Sequence, residues 1–212
     1  MATNTAVASA VVTAVAASTP GRLTFQTTAK NAGAYNYRKH AWDLSGQLDL
    51  QEYIKKSPWV WELGGEVRGD DEVKAGYRIV PLGEWGTKPF VVYLMVINGK
   101  IIKGGKVKGP IQTRSYSAGT EENWTMGTSD PSSTNYVFSQ IFRMCVANNI
   151  PVQFWCHACE TNTVTWTDAY GNEQITHSSA YEEIESSLNQ HLRETLGRHP
   201  IGDGGLLELK KA

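Results

Sequence analysis

Long apolar runs are missing from this chain. No segment reaches the ~20 consecutive apolar residues that a membrane-spanning helix needs. The apolar stretch at 6–17 (AVASAVVTAVAA) is too short to span, and no Lys or Arg precedes it, which argues against a secretory signal. It is expected to form a helix or edge strand that docks on the fold or on a second subunit. Cysteine is scarce: three in 212 residues, an odd number, argue against a disulfide framework and for a reducing, cytoplasmic setting. Net charge is almost absent, at −1, so bulk electrostatics does not announce a nucleic-acid partner. Internal repeats and long linkers are lacking as well.

What the chain does have is a globular composition, 41% hydrophobic with seven tryptophans. Its length allows one domain plus a sizeable extension. Charge is unevenly spread. Residues 88–114 hold six Lys/Arg and no Asp or Glu, whereas 178–194 is acid-rich. A basic face on a neutral protein suits phosphate contact, and the same lysines also suit a hairpin edge kept soluble.

The segment 89–114, PFVVYLMVINGKIIKGGKVKGPIQTR, carries the strongest signal. Apolar runs at 90–97 and 100–103 flank Asn98-Gly99, the pair favoured where a type I′ turn needs positive φ twice. The spacing predicts a hairpin with Tyr93 on its first strand and Lys103 at the end of its second, closed by Gly104-Gly105, with Arg114 just beyond. A phenol, an amine and a guanidinium without a carboxylate suit binding and breaking a phosphodiester. Upstream, 1–86 carries no nameable motif. The pattern there predicts a helix over 48–55 with Ser45 as start signal, a strand over 58–63 ended by Gly64-Gly65, and a turn at Gly69-Asp70-Asp71. Downstream, 115–134 reads as a Gly/Ser/Thr-rich loop. Residues 135–147 show helical spacing in Val137, Phe138, Ile141, Met144 and Cys145. A strand follows at 151–156, then an irregular or hairpin insertion over 160–174 around Gly171-Asn172. Ser179 and Glu182 match a capping box for a helix with Ile184, Leu188, Leu192 and Leu196 on one face and Gly197 at its end.

This element order, with its tyrosine, glycine and arginine, resembles the GIY-YIG nuclease superfamily. Val91-Val92-Tyr93 matches the first tripeptide in its tyrosine, and Lys103-Gly104-Gly105 matches the second in its final glycine. Lysine stands where the second tyrosine would be, as in some restriction-enzyme members. Arg114 matches the arginine that opens the family's next helix, and Glu185, between Ile184 and Leu188, matches its later glutamate. Asp203 departs from an asparagine common near the site. The resemblance covers roughly 88–205. It implies an α/β fold, with a small three-stranded antiparallel sheet flanked by helices over 87–212. Residues 1–86 are then an extension with a DNA-contact or dimerisation role.

The function so implied is a Mg²⁺-dependent endonuclease on double-stranded DNA, with Mn²⁺ able to substitute, of restriction or phage type, in the cytoplasm of a bacterium or phage-infected cell. Glu185 is the implied metal ligand, since Mg²⁺ is satisfied by one or two carboxylates with waters and substrate oxygens. Arg114 is the clamp on a nonbridging oxygen. Tyr93 orients or deprotonates the water, and Lys103 or Lys106 lowers its pKa. The separate DNA-binding domain of homing members is not expected after the catalytic helix. Specificity is left to 1–86, to 115–134 and to 160–174, and cutting both strands favours a homodimer.

Each of these residues also has a plain structural reading: Tyr93 as a core aromatic, Lys103 as a strand-end lysine, Arg114 as a solvated helix start, Glu182 as the capping-box acid. A catalytically weak relative serving as a DNA-binding or interaction module is the alternative. A zinc-stabilised domain is a third reading, since Cys156-His157-Ala158-Cys159 could join His177 or His191, but the usual partner pair is missing and packing cysteines are expected. Glu72-Val73-Lys74 mimics another nuclease motif but lies in a polar stretch. Trp59, Trp61 and Trp85 are expected in the core.

Overall fold

A run of seven apolar residues, Val91–Ile97, has no polar face to offer water, so it needs cover on both sides. In the computed structural model every one of them is buried. The structure describes residues 22–31, 34–72, 76–113 and 133–203. Arg114, the run at 6–17 and the loop residues 115–132 lie outside them.

The described elements are β1 (Arg22–Asn31), β2 (Ala34–Asp43), α1 (Leu50–Lys56), β3 (Glu62–Gly69), β4 (Tyr77–Pro81), β5 (Val91–Ile97), β6 (Lys100–Val107), α2 (Ser133–Ala147), β7 (Val152–Ala158), β8 (Asn162–Thr167), β9 (Glu173–Ser178) and α3 (Tyr181–Leu196). Strands β1–β2 and β8–β9 form separate two-stranded sheets. The central sheet has the order β4-β3-β7-β5-β6 and is antiparallel throughout. It has five strands where three were expected. The trio β6-β5-β7 is present, and β3 and β4 extend it beyond β7. Glycine explains the misreading. Gly64 sits inside β3, where a Cβ would lie 2.5 Å from the Cys156 sulfur and 3.1 Å from the Trp85 ring. The glycine permits close strand approach next to a bulge; it does not end a strand.

The sheet divides two apolar clusters. On one face Tyr93, Met95 and Ile97 pack with Phe138, Ile141, Phe142 and Cys145 of α2. On the other, Val92, Leu94 and Val96 pack with Leu188 and Leu192 of α3 and with Leu50 and Tyr53 of α1. Full burial of each leucine is worth about 2 kcal/mol, so α3 is held to β5 and β6 chiefly by its two-leucine stripe.

Helix ends differ from the expected chemistry. Asp49, not Ser45, caps α1: its carboxylate accepts from the N–H groups of Gln51 (3.0 Å) and Glu52 (3.3 Å), while Ser45 bonds to Asp43. The capping box of α3 does not form. Ala180 is the cap residue, no side chain bonds there, and Glu182 is turned to a lysine. Gly197, at φ +71°, closes the helix as expected. No helix among the described residues is long and apolar enough to cross a membrane.

Candidate active site along the edge of the sheet

Strand β6 is an edge of the central sheet, and its sequence KIIKGGKV alternates around two glycines. Each glycine makes room for something from a different face. A Cβ on Gly105 would fall 2.5 Å from the Tyr93 hydroxyl, so the phenol crosses β6 where a side chain is missing. A Cβ on Gly104 would collide with Asn189 and approach Leu188 and Leu192 to 3.2 Å, so α3 lies directly against the strand. The hairpin therefore continues through Gly104-Gly105 to Val107 and does not stop there as expected.

Opposed residues of an antiparallel pair share a face. Lys106 stands opposite Val92, on the α3 side; Lys103 stands opposite Met95, on the α2 side. On the α3 side the Lys106 ammonium lies 3.0 Å from Glu185 and 3.4 Å from Glu182, acids one helical turn apart. Glu185 is the more enclosed, with 21% of its side chain exposed against 62% for Glu182. The hydrogen bond to Glu185 is the main cause that raises the Lys106 pKa, and the Glu182 contact adds to it.

On the α2 side Lys103 pairs with Asp203, and both side chains are largely buried. Gly202 brings the acid there. Its N–H donates to the Ile102 carbonyl (2.9 Å), and a Cβ at that position would lie 2.8 Å from the same oxygen and from Phe138. Burial pushes the Asp203 carboxyl above its usual range despite the opposing pull of Lys103, and the charge of Glu185 pushes it further.

The structure brings Glu185 to Lys106 and Lys103 to Asp203. It does not bring Tyr93 onto the Glu185 face. Tyr93 is fully buried on the α2 side, its ring 5.4 Å from Phe154 and edge-on to it. Arg114 lies outside the described residues. Two partners escaped the sequence reading. Glu182 had been given to a capping box, although acids at 182 and 185 share a helix face. Asp203 was visible only as a departure from a motif.

The donors here are hard oxygens. Among the described residues no group of three or more His, Cys, Asp or Glu could hold a metal ion, so an all-protein cage is not on offer. One half-covered carboxylate at a sheet edge fits Mg²⁺, which keeps most of its waters. Cys156 is buried in β7 and Cys159 is buried just after it, and burial raises both thiol pKa values.

No family model matches this chain, and no curated protein matches it. Among solved structures it is similar to the restriction endonuclease HPY188I in complex with product DNA, at 26% identity and a TM-score of 0.46, over 76% of this chain and 89% of that one. It is also similar to a mutant of bacteriophage T4 EndoII, at 18% identity and a TM-score of 0.44, over 68% of this chain and 94% of that one.

Proposed function

We propose that this chain is a Mg²⁺-dependent DNA endonuclease of GIY-YIG type, hydrolysing phosphodiesters of double-stranded DNA along the outer edge of β6. The observation that carries the reading is the Lys106–Glu185 contact: an ammonium from the hairpin meets a carboxylate from the later helix at 3.0 Å, on a strand opened by two glycines. A restriction-type or phage-encoded enzyme acting in the cytoplasm is the form this reading takes.

Glu185 would hold the metal, with waters and substrate oxygens completing its shell. Bound there, Mg²⁺ would take up charge developing on the phosphate and make a coordinated water more acidic. Lys106, which also lies 3.4 Å from Glu182, would supply positive charge to a phosphate oxygen beside Glu185. Lys103, kept in place by Asp203, adds positive charge on the other side of the same strand. Tyr93, buried on the α2 side over Gly105, stands on the opposite face of the sheet from Glu185 and packs the strand behind the site. Arg114 clamps a nonbridging oxygen through paired hydrogen bonds.

One observation favours a second reading. Tyr93 is fully buried and faces α2, which suits a catalytically weak relative that binds DNA without cutting it. Incubating supercoiled plasmid with the protein and Mg²⁺ separates the two. The nuclease reading expects nicked or linear product, lost on chelation and in Glu185→Ala, with DNA binding retained by the variant. Binding without cleavage in either Mg²⁺ or Mn²⁺ would establish the second reading.

A further inference from the structure

Two phenols join the apolar cluster on the α3 side of the sheet, Tyr53 and Tyr181. Their hydroxyls are used differently. The Tyr53 hydroxyl is bonded to His191 Nδ1 (3.0 Å), and burial pushes its pKa up to about 12. Tyr181 is only partly covered, and its hydroxyl makes no hydrogen bond among the described residues.

Tyr181 opens α3 and stands one helical turn before Glu185, on the same face. Its ring lies 5.7 Å from the Lys106 ammonium, which is itself 3.0 Å from Glu185 and 3.4 Å from Glu182. An ammonium at that distance is attracted to the ring, so phenol and cation stay together. Both are hydrogen-bond donors, and both stand beside the carboxylate assigned to the metal.

From the other side the ring is held by Phe90, with 5.2 Å between centroids. Phe90 is buried and has a φ of +51°. Three non-glycine residues take positive φ among the described ones, and the other two are asparagines, which tolerate it. A phenylalanine there is strained, and such strain persists only where neighbours fix it. The Phe90 N–H donates to the Lys108 carbonyl (2.9 Å), and the Phe90 carbonyl accepts from the Cys159 N–H (3.0 Å). Both bonds lock the backbone that sets this ring against Tyr181.

We propose that Tyr181 is a substrate-binding residue: its hydroxyl donates to a nonbridging oxygen of the scissile phosphate, alongside the Lys106 ammonium. Phe90 is the positioning residue that fixes the Tyr181 ring. Two donors fixed on one oxygen suit the charge that builds there as the phosphodiester breaks. The inference rests on the nuclease reading.

Single-turnover cleavage of duplex DNA at saturating protein tests it in Tyr181→Phe, which keeps the ring and its packing on Phe90. A rate about tenfold or more below wild type is expected, with DNA binding little changed. Tyr53→Phe, whose lost hydroxyl serves His191, is expected to cut at the wild-type rate. A phosphorothioate at the cut gives a second readout. Sulfur is a weaker acceptor than oxygen, so one diastereomer should slow wild type more than it slows Tyr181→Phe. Phe90→Leu should show the same reduced sulfur effect, because it loosens the ring without removing the hydroxyl. Far-UV circular dichroism verifies that each variant is folded. If wild type cuts and Tyr181→Phe cuts equally fast, the inference is overturned and the nuclease reading stands. Equal losses in Tyr181→Phe and Tyr53→Phe would overturn it too, assigning the effect to packing. A wild type that binds DNA and never cuts it would overturn both.

Discussion

The hairpins β5–β6 and β8–β9 are both antiparallel pairs closed by a short turn, yet every residue of β5 is buried and every residue of β8 is exposed. Their turns are equally well made. Asn98 and Gly99 take φ of +49° and +75°, and at the other tip the Asp168 carboxylate accepts from the N–H groups of Tyr170 and Asn172, both at 2.9 Å. Turn chemistry therefore creates the hairpin but does not decide its surroundings. β5 is apolar at every position and is covered on both faces by helices. The ribbon is threonine-rich and satisfies itself, with Trp166 donating to Thr176 and Thr163 bonded to His177. The lysines of β6 instead find their acids far away in the chain, Lys100 at Asp49, Lys103 at Asp203 and Lys106 on α3.

The comparison is broken most sharply by equal truncations in the two hairpins. Leu94→Ala in β5 should cost about 2–5 kcal/mol in urea unfolding, because the site is sealed between two layers. Val164→Ala in β8 should stay within about 0.5 kcal/mol in the isolated chain. Similar losses at both would mean the ribbon is covered. Glycines give the next largest contrast. Gly105→Ala pushes a methyl into the Tyr93 ring and should cost about 1–3 kcal/mol. Gly171→Ala meets no neighbour and should cost only the left-handed backbone strain, about 1 kcal/mol.

A cap provides a smaller effect. Asp49→Ala should lower stability by about 1 kcal/mol, with Asp49→Asn recovering most of it, as thermal melts would register. The smallest effect is a pH slope from Asp203. Its folded pKa is raised, so protonation favours the folded state. That contribution is full below the ordinary value of 3.8 and is lost as pH rises through the raised one. Asp203→Asn should flatten the stability profile in that window, and an unchanged slope would assign it to another group.

Much of this was legible in the chain, for reasons that also explain what was not. Asn98-Gly99 announced its hairpin, and the apolar spacing of Phe138 to Cys145 and of Leu188 to Leu192 announced two helices. Strands β3 and β4 were obscured because Gly64 and Gly65 look like punctuation when they are close-approach residues. At the site, the faces occupied by Lys103 and Lys106 do not follow from residue spacing. Ile97 stands opposite Lys100, but a shift after Val96 leaves Met95 opposite Lys103. An unbulged hairpin would put Lys103 opposite Leu94, on the face of Glu185. One extra residue reverses the remainder of the strand. No local pattern gives that bulge, nor the return of Asp203 to β6 from the far end of the fold.

The nuclease account rests on Glu185 and its contact with Lys106. Single-turnover cleavage of duplex DNA by wild type and Glu185→Gln, each shown folded and DNA-bound, tests it most directly. A rate at least about 100-fold lower in the variant, scaled as loss of a transition-state charge contact, is the predicted result. Cleavage by the variant at the wild-type rate would contradict it.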